Sequence, residues 1–259
     1  MDPLREVLEE KRKRRKLFVP YLTFGYPDVE NFCHLLRLCE KEGADAVEVG
    51  IPHSDPVADG PVIQTTSFAA LRQGVTPRMV PGVLGALSVS IPLVAMTYGN
   101  IVLQYGVEEF ARDFRRAGFL GLIVADFPLE ALPFLEGARG VLSRVLLASV
   151  TSPLERTLAI AQKSEGFVYL VAGKGVTGKT EVEFRALLER IEYLRRHTDS
   201  ILLPGFGIHS PETAAILIRH GDGVIVGSAL LAYIVENQNK DGWMKGFAEL
   251  LRSYRQALA

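Results

Sequence analysis

Two cysteines and one tryptophan are all that this chain of 259 residues has of those types. Cys33 and Cys39 lie six apart in a segment patterned as helix. Six residues turn a helix through about 600°, so the two thiols face different ways. That excludes a local disulfide, and neither thiol has the neighbours of a metal site. Both read as small buried apolar residues of a reducing compartment. No apolar run reaches the roughly 18 residues that a membrane span needs, and the polar first ten residues have no secretory apolar stretch behind them. An excess of charge is also lacking. With 29 basic and 30 acidic residues the net charge is -1, which excludes a global pull towards nucleic acid or anionic lipid. The five histidines fall in no metal-ligand spacing. These absences point to a cytoplasmic protein with neither nucleic acid nor membrane as partner.

What is present is a regular rhythm. Hydrophobic residues make up 48% of the chain, enough for a sizeable core. Short β-branched runs at 18–25, 46–51, 92–98, 121–127, 145–151, 166–171, 201–207 and 223–227 predict strands. Helical patterns at 28–42, 107–117, 153–164, 183–197 and 211–220 lie between them. Strand–helix alternation implies parallel strands joined by crossovers. Eight of them without a low-complexity linker predict one (β/α)8 barrel over residues 1–259, preceded by an extra N-terminal helix. Asp28, Ser210-Pro211 and Thr151-Ser152-Pro153 read as helix starts, and Gly43, Gly118 and Gly221 as helix ends. Trp243 is expected to anchor the last helix.

Residues 11–16 are all basic. Glu6, Glu9 and Glu10 just upstream favour the solvated end of a first helix over an anion-binding patch.

In such a barrel, the loops that follow the strands gather at one face and carry the chemistry. The second strand reads Ala46-Val47-Glu48-Val49-Gly50-Ile51. Side chains alternate, so the β-branched residues share one face and Glu48 points inward between Ala46 and Gly50. A carboxylate there is costly unless paired or functional. The following loop, 52–64, contains three prolines and two aspartates, Asp55 and Asp59, and brings Asp59 within reach of Glu48. Two carboxyls in unlike environments can divide acid and base roles. Asp55, beside Pro56, can equally be a turn former.

The stretch Glu48-Val49-Gly50-Ile51-Pro52-His53-Ser54-Asp55-Pro56-Val57-Ala58-Asp59-Gly60-Pro61-Val62-Ile63-Gln64 resembles the hallmark of the tryptophan synthase α subunit family. The likeness includes residues 18–23 and runs to the last strands. It implies retro-aldol cleavage of indole-3-glycerol phosphate to indole and glyceraldehyde 3-phosphate, with Glu48 and Asp59 catalytic. It also implies a substrate pocket of Tyr21, Tyr98, Ile123, Tyr169 and Thr177, and phosphate held by Gly178, Gly207, Gly227 and Ser228. The glycine turns after the seventh and eighth strands suit an anion for independent reasons. By the same resemblance the chain needs no cofactor of its own. It docks through Asp55 and Pro56 on a β-subunit dimer that holds pyridoxal phosphate, giving an α2β2 complex.

Several positions depart from the family pattern: Tyr26 where an acid is usual, His53 where Phe is usual, and Ala172-Gly173-Lys174 before the lid. Lys174 invites comparison with Schiff-base aldolases, but its flanking glycines favour a solvated lid lysine. Two further readings stay open, a free-standing indole-releasing lyase and a barrel retained chiefly to regulate a β partner.

Overall fold

A computed structural model describes residues 2–171, 181–205 and 207–259. Eight parallel strands occur in it: β1 (Leu17–Thr23), β2 (Val47–Gly50), β3 (Leu93–Thr97), β4 (Phe119–Val124), β5 (Ser143–Ser149), β6 (Val168–Val171), β7 (Leu202–Pro204) and β8 (Gly223–Val226). Each pairs with its neighbour in sequence from β1 to β7, and β8 returns to β1. The circle is closed near Asp222, whose N–H donates to Leu202 O at 3.0 Å and whose carboxylate accepts Leu202 N–H at 2.8 Å. The protein is a (β/α)8 barrel.

The helices are α1 (Pro3–Arg12), α2 (Val29–Lys41), α3 (Pro61–Arg72), α4 (Met79–Gly85), α5 (Gly99–Tyr105), α6 (Val107–Arg116), α7 (Leu154–Lys163), α8 (Glu181–Arg195), α9 (Pro211–Leu217), α10 (Ser228–Asn237) and α11 (Trp243–Ala257). A 3-10 segment spans Leu129–Ala138. Strand alternation divides the apolar residues into two cores. Val47, Val49, Leu93, Ala95 and their equivalents pack outward under the helices. Val19, Ala46, Val94, Ile123, Val145 and Ile225 fill the barrel. Leu4 and Leu8 of α1 join this inner core, so the extra helix plugs the barrel at the end where the strands begin. Asp2 caps α1 and also accepts Gly166 N–H at 2.6 Å, which ties the plug to the approach to β6.

The basic run is neither a free patch nor merely solvated. Arg15 reaches Asp45 at 2.7 Å, Arg12 reaches Asp222 at 3.2 Å, and Lys11 and Lys16 each donate to a backbone carbonyl at 2.8 Å. Asp45 and Asp222 stand just before β2 and β8, so the run holds strand starts together. Cys39 is buried and Cys33 only half-buried, both as free thiols. Trp243, at the first position of α11, is half-buried against the outer core. Among the described residues, no helix is long and apolar enough to cross a membrane.

Candidate active site

Glu48 pairs in register with Tyr21 on β1 and Val94 on β3, and lies on the inner side of β2. It is fully buried, and among the described residues neither carboxylate oxygen has a hydrogen-bond partner. A charge in such a place is poorly solvated, so the neutral acid is favoured. Burial first, and then repulsion from Asp59, push its pKa up to about 8.

Two buried tyrosines complete the inner wall. Burial raises both hydroxyls well above the usual phenol range; next in weight come Asp59 for Tyr21 and Glu48 for Tyr169. Each ring crosses a glycine. A Cβ on Gly50 would stand 1.9 Å from Tyr21 Oη, and one on Gly205 would stand 2.2 Å from Tyr169 Cε2. Any larger residue at either position must displace the ring.

The loop after β2 folds back over this wall. Asp59 N–H donates to Pro56 O at 3.1 Å, and Gln64 Nε2 donates to Asp59 O at 2.9 Å. Tyr98, just beyond β3, accepts Ala58 N–H on its hydroxyl at 3.1 Å. Burial raises the half-buried Asp59 carboxyl to about 6, against the opposing influence of a hydrogen bond with Tyr98. The site therefore holds two neighbouring carboxyls, both raised by burial and Glu48 the higher, the pattern that separates an acid from a base.

Ile123 points into the barrel from β4 and is fully buried. Gly207 follows β7 with a φ of 76°. Gly227 and Ser228 stand where β8 enters α10; the first N–H groups of a helix have no partner within it and present a positive end. In the loop after β2, Asp55 is exposed and Pro56 buried. Thr177 and Gly178, like Lys174, lie outside the described residues. Among those described, no group of three or more His, Cys, Asp or Glu could hold a metal ion.

Sequence reasoning passed over Asn100 and Asp126. Asn100 Oδ1 accepts from His53, and Asp126 Oδ1 accepts Gly99 N–H at 2.8 Å, which joins the ends of β3 and β4. Their position just after strand ends was the available signal.

Glu48 also makes stability depend on pH. Its folded pKa lies above the ordinary value of 4.5, so the stability linked to its proton is fully present below about pH 4.5 and is lost as pH rises through about 8. At about 1.4 kcal/mol per unit the loss approaches about 5 kcal/mol at most. Denaturant unfolding should find Glu48→Gln more stable than the parent, with the gap widening between pH 5 and pH 8. Parallel stability curves would contradict the burial argument.

The family model described as tryptophan synthase alpha chain matches residues 7–258. The chain belongs to the tryptophan synthase alpha chain family. Members of that family are lyases that cleave indole-3-glycerol phosphate. The family's chain from Rippkaea orientalis is 40% identical, with 100% of this chain and 98% of that one covered. The one from Synechocystis sp. is 42% identical, covering 86% and 87%. Among solved structures, tryptophan synthase from M. tuberculosis in its aminoacrylate-bound form superposes with a TM-score of 0.87 at 33% identity, covering all of both chains. The tryptophan synthase subunit alpha of Legionella pneumophila gives a TM-score of 0.88 at 33% identity, covering 100% and 98%.

Proposed function

We propose that Glu48 is the acid and base of indole-3-glycerol phosphate cleavage in this chain, and that Asp59 is the anionic partner of the indole N–H. The observation that carries this reading is the buried, partnerless Glu48 carboxyl beside Asp59. The products are indole and glyceraldehyde 3-phosphate. Neutral Glu48 gives its proton to indole C3, and the ring nitrogen takes up positive charge. Ionised Asp59 stabilises that charge. The bond from C3 to the glycerol chain then breaks, and its electron pair restores the aromatic ring. The adjoining hydroxyl becomes the aldehyde and returns its proton to Glu48, so the acid is regenerated.

Tyr21, Tyr98, Ile123 and Tyr169 would bound the ring, and Thr177 would be a further substrate-binding residue. Gly178, Gly207, Gly227 and Ser228 would receive the phosphate; glycine backbone and the positive end of α10 suit its charge.

We further propose a tryptophan synthase β chain as partner, in an α2β2 complex of the cytoplasm, with pyridoxal phosphate held by that partner. Exposed apolar residues recur in successive connections after strands: Val57 after β2, Leu103 in α5 after β3, and Phe134 in the 3-10 segment after β4. Each of the three follows a strand in sequence. Asp55 is exposed in the same loop as Val57.

Turnover of indole-3-glycerol phosphate by the purified chain, alone and with a β subunit, tests the reading. Indole release in either condition is expected. No release in both would leave a purely regulatory barrel.

A further inference from the structure

His53 is buried, and all its polar capacity is used. Its Nδ1 accepts Asp55 N–H at 2.9 Å, so the ring proton sits on Nε2, which donates to Asn100 Oδ1 at 2.9 Å. Asn100 Oδ1 is itself oriented by Ile101 N–H at 2.9 Å. The imidazole stacks on Tyr98 with centroids 4.5 Å apart and planes 25° from parallel. Tyr98 in turn holds the other arm of the loop through Ala58 N–H at 3.1 Å. One stacked pair therefore grips the loop after β2 at both 53–55 and 58–59, and fastens it to the start of α5. Asp59 rides on the second arm.

We propose that His53 is a positioning residue for Asp59, acting through its two ring hydrogen bonds rather than through stacking alone. The inference rests on the assignment of Asp59 as the anion of the cleavage reaction. Phe at this position keeps the stack and loses both hydrogen bonds. Freeing Asp55 N–H loosens the first arm, and the fraction of molecules with Asp59 in place falls. Misplacement of this kind acts on the chemical step more than on substrate binding.

The test is a cycle of His53→Phe, Asn100→Ala and the double variant. His53→Phe should lower kcat about fivefold with KM changed less than about twofold, and speed hydrogen exchange at the Asp55 amide. The double variant should be no slower than His53→Phe, because Asn100 acts only through a bond that His53→Phe already removes. An unchanged kcat with unchanged Asp55 exchange overturns the proposal, and so does a lower kcat without faster exchange. If His53→Phe fails to fold, Asn100→Ala decides by the same two readouts. Turnover retained by Glu48→Gln would instead overturn the catalytic reading, while Asp55 exchange would still report whether His53 holds the loop.

Discussion

Indole release should fall about 10³-fold in Glu48→Gln, with affinity for indole-3-glycerol phosphate retained. Gln preserves the size of the side chain and needs no charge solvated, so the barrel has no reason to repack. What is lost is the proton that moves from the glycerol hydroxyl to indole C3. Among the described residues, nothing else nearby can replace it. Tyr21 and Tyr169 are buried phenols whose ionisation is pushed upward, and Asp59 is the stronger acid of the pair and is needed as an anion. Calorimetric titration with substrate, beside a turnover assay, separates lost chemistry from lost binding. Turnover within about tenfold of the parent would remove Glu48 from the mechanism.

A large loss of stability is expected at the opposite end of the barrel. Asp45 is fully buried and receives Arg15 at 2.7 Å, Arg255 at 3.0 Å and Phe18 N–H at 2.9 Å. It joins the segment after α1, the start of β1 and the last helix. Asp45→Ala leaves two guanidinium groups and one backbone donor without their acceptor. Breaking a buried ion pair from one side costs about 3–5 kcal/mol, which for a chain of this length lowers Tm by about 10 °C. Glu48 stands on the same strand but towards the other mouth, so kcat should remain near that of the parent. A Tm within about 3 °C of the parent would make these ion pairs incidental.

Local rules carried the sequence reading as far as single strands and helix ends. Alternation along 46–51 placed Glu48 inward, and the Asp28 and Ser210 caps form as their spacing predicts. Where a second contact decides, local rules fell short. Thr151 and Ser152 do not cap α7; Pro153 takes that position without a side-chain bond. Gly221 ends its helix without a positive φ, unlike Gly43 and Gly118. β4 begins at Phe119, two residues before the expected start, because Leu93 on β3 is available to pair with it. Residues 11–16 read as solvent-facing because their acceptors Asp45 and Asp222 are tens to hundreds of positions away. The same holds at the site. Glu48 was legible from parity alone, but the grip of His53 on Asn100 spans 47 positions. The crossing of Tyr169 over Gly205, just past the end of β7, depends on a close approach that no local pattern shows.

The central claim is that the fold stores a protonated acid on β2 beside an ionised Asp59. Site-resolved 13C titration of the Glu48 carboxyl in the free chain tests it most directly. A midpoint near pH 8, with the proton retained at neutral pH, is the expected result. A carboxyl already ionised at pH 6 would contradict it.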